Sequence, residues 1–202
     1  EDFANAECAV CYGRMGVATQ SYGALNHWLM LVLNILTGNL DSPGGMMFTT
    51  PAFNKAQSRP MGSFNTYQSR ARGLPEFDSY FPAVTIAEEM LTPGEGQVHG
   101  FICVAGNPVL STPNGRQMDE ALEQLEFMVS IDFYLNETSR HADIILPPTG
   151  PLEHEQYDIV YNMLAVRNLA RFSDPVFEAP EGTRCDWDIV DGLTQRIMAL
   201  KK

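Results

Sequence analysis

The amino-acid sequence predicts an α/β fold, a Rossmann-like three-layer domain with a parallel sheet and a long irregular insertion. Three observations lead there. Short apolar runs alternate with an amphipathic helix between residues 101 and 146, the order in which parallel β/α units are built. A hydrophobic fraction of 45% over 202 residues can bury a sizeable core. A stretch rich in Gly, Pro, Ser, Asn and Gln begins at Ser42-Pro43-Gly44-Gly45 and lasts until about Gln97.

Taken in order, the apolar run Ala9 to Tyr12 reads as a strand, and Gly13-Arg14-Met15-Gly16 lets the chain turn away from its end. A helix follows from about Tyr22. Leu25, Leu29, Val32, Leu33 and Leu36 form one stripe, and Trp28, Met30, Leu31 and Ile35 make most of the remaining surface apolar, so this helix is expected to be sandwiched, with His27 a core side chain. Its apolar run from Trp28 to Leu36 is interrupted by Asn34 and falls far short of the roughly 20 residues that cross a bilayer. Thr37-Gly38-Asn39 is its stop. Inside the insertion, only Thr85 to Leu91 reads as helical.

Beyond the insertion, Phe101 to Ala105, Phe127 to Ile131 and Ile144 to Leu146 read as strands. Between the first two, a helix from Gln117 to Glu126 buries Met118, Ala121, Leu122 and Leu125 and turns Glu120, Glu123 and Gln124 to water. A last helix starts at Asp186, a good N-cap, with Trp187, Val190, Leu193 and Ile197 on one face. Residues 1–45 therefore read as the end of one α/β subdomain, 46–97 as a loop-rich connection and 98–202 as a second α/β subdomain.

A formal charge of -12 disfavours nucleic acid and anionic membrane surfaces, both of which need clustered Lys and Arg. The chain opens on Glu1-Asp2-Phe3, as an internal piece of a longer protein would. Of its four cysteines, Cys8 and Cys11 have half-site spacing, yet no second pair follows. All four read as buried or half-buried free thiols, which lean towards a reducing, cytoplasmic compartment.

Phosphate loops with Lys, Gly-x-Gly-x-x-Gly turns, Gly-x-Ser-x-Gly elbows and His-Glu-x-x-His helices do not occur. Glu153-His154-Glu155 cannot converge on one point in regular structure and reads as a solvated loop. His99 reads as a loop residue and His141 as part of a short helix, neither with a visible partner.

In open α/β sheets, ligands bind beyond the carboxyl ends of the strands. Two such ends are suggestive. Gly106-Asn107-Pro108 follows the first strand, either as a plain turn or as a close backbone approach beside an amide that both donates and accepts. Asp132 follows the second, either as a helix cap or as an acceptor for ribose hydroxyls or a guanine edge, with Asn136-Glu137-Thr138 just beyond.

Gly106-Asn107-Pro108, Asp132-Phe133-Tyr134-Leu135-Asn136-Glu137-Thr138, Ala142-Asp143-Ile144-Ile145-Leu146-Pro147 and Glu153, in this order and spacing, resemble the molybdopterin oxidoreductase family, which contains dimethyl sulfoxide reductase, formate dehydrogenases and nitrate reductases. Gly13 to Gln20, leading to Leu36-Thr37-Gly38-Asn39-Leu40, fits the same register. The resemblance implies an oxidoreductase parent using molybdopterin guanine dinucleotide with molybdenum or tungsten. Gly106, Asn107, Pro108, Asp132, Asn136 and Thr138 would hold the guanosine end of one dinucleotide, with Gln20 nearer the pterin and Glu153 a further contact.

It also implies that the metal ligand, and the cysteines of an iron-sulfur cluster where one exists, lie upstream, so this stretch supplies no catalytic residue or metal ligand and is inactive alone. Partners would be the parent's remaining domains and electron-transfer subunits. Asn136 stands where many relatives carry Thr, and a Gly-Arg run often found after Glu153 is missing, the next basic residue being Arg167. The rival readings are a non-catalytic scaffold subunit of a redox complex and a free-standing nucleotide-binding module.

Overall fold

A computed structural model describes residues 1–52, 62–165 and 169–200. Residues 53–61 of the expected 46–97 connection, and Arg167, lie outside the described residues. In chain order the elements are α1 (Asp2–Asn5), α2 (Met15–Ala18), α3 (Gly23–Leu36), β1 (Phe64–Gln68), β2 (Pro75–Phe77), α4 (Ile86–Leu91), β3 (Gly100–Val104), α5 (Pro108–Ser111), α6 (Gly115–Glu123), β4 (Phe127–Ile131), β5 (Ile144–Ile145), β6 (Gln156–Tyr157), α7 (Ile159–Leu164), β7 (Phe172–Ser173) and α8 (Asp186–Leu200). They fall into two compact units, Glu1–Lys55 with Tyr157–Arg171, and Ala56–Gln156 with Phe172–Lys202.

In the first unit, α3 runs where the apolar periodicity expects it. A Cβ on Gly23 would fall 2.0 Å from the Ala18 carbonyl oxygen, so glycine alone lets α3 start this close behind α2. Asn34, which interrupts the apolar run, is fully buried. Its amide donates to the Cys11 and Met30 carbonyls, both at 2.8 Å, and its Oδ1 accepts from the Cys11 N–H at 2.9 Å. Those bonds correct the expected strand at Ala9 to Tyr12: the segment is assigned to no strand, because Asn34 satisfies the backbone of Cys11 as a neighbouring strand would.

The sandwiched α3 is a second correction, since Leu25, Trp28, Leu29 and Leu36 are exposed. His27 is exposed as well, not a core side chain, and Cys8 is exposed, whereas Cys103 is buried and Cys11 and Cys185 are half-buried. Apolar periodicity reports a face that needs cover; it does not say which part of a protein supplies it.

The second unit holds the expected parallel sheet, with strand order β3-β4-β5. Five register pairs join β3 to β4, from Gly100↔Phe127 to Val104↔Ile131, and Val129↔Ile144 and Ser130↔Ile145 join β4 to β5. One sheet face packs on helices: Cys103 and Met128 meet Ala87 and Met90 of α4 and Met118, Ala121 and Leu122 of α6 in one buried cluster, with Leu125 against it. On the other face Val129 and Ile131 are buried while Ile102, Val104 and Ile144 stay about half exposed. α6 begins two residues before the expected Gln117, because Asn114 takes a left-handed φ of 60° and a Cβ on Gly115 would lie 2.1 Å from the Val109 carbonyl oxygen, and it ends at Glu123, three residues before the expected Glu126.

The insertion is less irregular than expected. β1 and β2 form an antiparallel hairpin within it. It is held by Glu76, 1% exposed, whose carboxylate accepts from the Ser63 hydroxyl and from the N–H groups of Thr66 and Tyr67, the latter at 2.8 and 3.3 Å. The Ser63 hydroxyl foremost, then these N–H groups, holds the Glu76 carboxyl below its ordinary pKa. Phe64, Tyr67 and Phe77 are exposed, so the hairpin lacks the one-sided apolar pattern by which strands are read. At the other end of the unit, α8 starts with Asp186 inside its first turn. Its Ile189 and Leu193 face Leu146 and Pro147 across a cleft of about 230 Å³, while Trp187, Val190 and Ile197 remain half exposed.

Candidate functional site

Because β3 and β4 are parallel neighbours in register, the loops leaving their carboxyl ends are adjacent, and Ala105 N–H still donates to the Ile131 carbonyl at 2.9 Å as the strands part. Ala105 then takes a left-handed φ of 48°, which throws the chain out of the sheet at a residue with a Cβ. Gly106 follows with ordinary room for a Cβ, its nearest neighbours being Cys103 Sγ and Val104 O at 3.6 Å. Packing within this chain therefore does not demand glycine there. Pro108 is buried at the start of α5, where its missing N–H costs nothing.

Asn107 occupies the N-cap position of α5 but makes no cap with its own side chain. It reaches the neighbouring loop instead. Its Nδ2 donates to Glu137 Oε2 at 2.8 Å, and its Oδ1 accepts from the Thr138 hydroxyl at 2.7 Å. Thr138, fully buried, supplies the missing cap from across the gap by accepting from Val109 N–H at 3.1 Å. The Asn107 amide is the foremost reason that the Glu137 carboxyl lies below its ordinary pKa.

Asp132 is half-buried at the tip of β4. Its Oδ1 accepts from Tyr134 N–H at 3.0 Å and its Oδ2 from Asn136 Nδ2 at 3.2 Å. Asn136 Oδ1 in turn accepts from the N–H groups of Thr138 and Ser139, both at 2.9 Å, while Asn136 N–H donates to Ser139 Oγ at 2.8 Å. A carboxylate has about four acceptor positions, so Asp132 keeps capacity for two more donors in an accessible place. Phe133 and Tyr134, exposed beside it, pack edge to face with centroids 4.8 Å apart.

The structure thus brings Gly106, Asn107, Pro108, Asp132, Asn136 and Thr138 together at one end of the sheet, linked by the Thr138 and Asn136 bonds. It adds Ser139, whose hydroxyl carries no periodic signal in the sequence, and gives Glu137, which the sequence places beside Asn136, a bond to Asn107. Glu153 is half-buried and its Oε2 accepts from Gly150 N–H at 2.6 Å; among the described residues no hydrogen bond joins it to the Asn107 and Asp132 cluster. Gln20 belongs to the first unit and is exposed, its amide donating to the Gly16 carbonyl at 2.9 Å. His141 does have a partner, Asp119, with Nε2 to Oδ1 at 2.7 Å.

The chemistry available here is hydrogen bonding and shape. Burial foremost pushes the Cys103 thiol, which donates to the Gly106 carbonyl at 3.3 Å, above its ordinary pKa, so this cysteine is a packing group beneath the turn. Among the described residues no three His, Cys, Asp or Glu side chains gather to hold a metal ion, and no helix is long and apolar enough to cross a membrane.

The sequence is similar to those of several known proteins. The assimilatory nitrate reductase catalytic subunit of Bacillus subtilis is 26% identical over 213 residues, covering 96% of this chain and 29% of that protein. The dimethyl sulfoxide/trimethylamine N-oxide reductase of Cereibacter sphaeroides is 26% identical over 198 residues, covering 87% of this chain and 24% of its own length. The F420-dependent formate dehydrogenase subunit alpha of Methanocaldococcus jannaschii is 27% identical over 206 residues, covering 96% of this chain and 30% of its own. The chain therefore spans about a quarter to a third of the length of these relatives. The family model described as molybdopterin oxidoreductase matches residues 4–196, nearly the whole sequence, and the chain belongs to the molybdopterin oxidoreductase family.

Proposed function

We propose that this chain is the part of a molybdopterin-dependent oxidoreductase that holds the guanosine end of one pterin guanine dinucleotide. The observation that carries the reading is the pairing of Asn107 and Thr138 across the β3 and β4 tips, beside an Asp132 carboxylate with acceptor capacity to spare. Ribose hydroxyls or the N–H edge of guanine are donors of the kind that Asp132 can take. The tip carries Asp132 and Glu137 and repels phosphate oxygens, so it suits the nucleoside and not the pyrophosphate.

When bound, the cofactor would supply two-electron redox or oxygen-atom transfer at molybdenum or tungsten. The chain's own residues bind and orient: Asp132 accepts, Asn136 fixes its carboxylate, and Thr138 ties that loop to Asn107. Gln20 and Glu153 are proposed as further contacts. Residues 1–45 and 98–202 are proposed as subdomains of the parent, joined by 46–97, with the metal ligand and any iron-sulfur cluster elsewhere.

Its partners would be the parent's other domains and its electron-transfer subunits. The exposed Leu25, Trp28, Leu29 and Leu36 of α3, and the half-exposed Ile102, Val104 and Ile144 of the sheet, support that reading as apolar surface that needs cover. The test is Asp132→Ala in the full-length protein: molybdenum or tungsten and extracted guanine dinucleotide should fall together relative to protein, and unchanged cofactor content would remove Asp132 from the site.

A further inference from the structure

The loop after β4 is stiffened by bonds that are mostly local. Asp132 holds Tyr134 and Asn136, and Asn136 holds Thr138 and Ser139, all within the eight residues from Asp132 to Ser139. Local bonds make the tip a rigid piece without fixing how that piece is aimed from the end of the strand. Long-range ties at two places do that. At one, Thr138 bonds Asn107, 31 residues away in sequence, and the Val109 N–H, while Glu137 takes the Asn107 amide.

The other is a carboxylate on α6. Asp119 takes Arg140 Nη2 through Oδ1 at 2.6 Å and Oδ2 at 2.8 Å, and its Oδ1 also lies 2.7 Å from His141 Nε2. Arg140 and His141 sit in the short turn Ser139–His141 that begins one residue after Thr138. The His141 side chain is only 13% exposed, whereas Arg140 is 54% exposed and its arm is screened by solvent. Asp119 is mounted firmly, since its neighbour Met118 is 1% exposed in the core cluster with Ala121 and Leu122. With β4 at one end, Asn107 at the middle and Asp119 at the far end, the tip is held at three separated points, enough to fix a rigid body.

We infer that Asp119 is a positioning residue for the dinucleotide site: without touching the ligand, it aims Asp132 and Thr138 by holding Arg140 and His141 against α6. The inference rests on the guanosine reading above. It separates two kinds of residue on one loop, those that meet the nucleoside and those that set the angle at which it is met. A misdirected contact can cost as much affinity as a deleted one.

The experiment uses the full-length protein stripped of cofactor, with guanosine as the probe. Affinity is measured by calorimetry, and backbone hydrogen exchange is followed over residues 100–104 and 127–141. Asp119→Asn should raise the Kd about tenfold and speed exchange at 133–138, with exchange in β3 and β4 unchanged, while Asp119→Glu, which keeps the charge, recovers part of the affinity. A Kd within twofold of wild type overturns the inference, and so does a loss of protection spread evenly over β3 and β4, which would mark Asp119 as a general stabiliser. If Asp119→Asn does not fold, Arg140→Gln at an exposed side chain is read the same way, with about a threefold change expected. If wild-type protein gives no binding heat, the guanosine reading falls and takes this role with it; if wild type binds and Asp132→Asn does not, while Asp119→Asn is indifferent, only the positioning role is lost.

Discussion

The hydroxyl of Thr138 donates to Asn107 Oδ1 at 2.7 Å and accepts the Val109 N–H at 3.1 Å, so one buried oxygen joins the β4 loop to the start of α5. A single side chain therefore couples two strand tips and caps a helix to which it does not belong. Thr138→Val keeps the volume and removes both bonds, leaving Val109 N–H and Asn107 Oδ1 short of a partner. The expected loss is ~2 kcal/mol of stability, read as a lower urea midpoint at unchanged slope. An unchanged midpoint would mean that water replaces the hydroxyl.

Asn34 has the same logic in the first unit, with three bonds to backbone groups from a fully buried amide. Asn34→Leu satisfies the apolar periodicity of α3 and leaves the Cys11 N–H and carbonyl without partners. A cost of ~3 kcal/mol is expected, together with faster hydrogen exchange at Cys11. A more stable variant would show that apolar packing outweighs those bonds.

Glu76, Asp119 and Glu137 all have carboxyl groups held below their ordinary pKa, chiefly by Ser63, Arg140 and Asn107 respectively. A lowered folded-state value means that the folded protein binds protons less readily than the unfolded chain. The stabilisation is therefore complete above the ordinary carboxylate range and is lost as pH falls through that range and below it. The urea midpoint of the second unit should decline from about pH 5 downward, and Glu76→Gln should flatten that decline while lowering the midpoint at pH 7. Equal slopes in wild type and variant would sink the assignment to Glu76.

The cysteines should separate by reactivity. Cys8 is exposed, while Cys103 is buried with its thiol pushed to higher pKa. At about pH 8 an alkylating reagent should modify Cys8 first and Cys103 at least about tenfold more slowly. Comparable rates would mean that the turn at Gly106 opens readily.

Much of the second unit was legible in the sequence because its signals are local. Met118, Ala121 and Leu122 lie on one helical face, and Phe127 to Ile131 is a short apolar run, so periodicity and length suffice to identify helix and strand. Asn107, Asp132, Asn136 and Thr138 follow strand ends, and their neighbourhood could be expected from the parallel order alone. The hairpin over Phe64–Gln68 and Pro75–Phe77 had no such signal, because a buried carboxylate holds it while its aromatic residues face outward. The apolar run Ala9 to Tyr12 likewise carries no sign of its partner: such a run favours extended backbone but does not say which group completes its hydrogen bonds, here Asn34.

By itself, then, the sequence determined where the longer helices α3, α6 and α8 and the parallel strands lie and which polar residues follow the strand ends, since these depend on spacing along a few turns or residues. Tertiary structure alone decided that Thr138 would cap the helix after Asn107, that Asn34 would stand in for a strand, and that Asp119 would take both Arg140 and His141. The physical reason is that a hydrogen-bonding side chain has many possible partners within reach of its own segment, and only the packing of distant segments removes all but one.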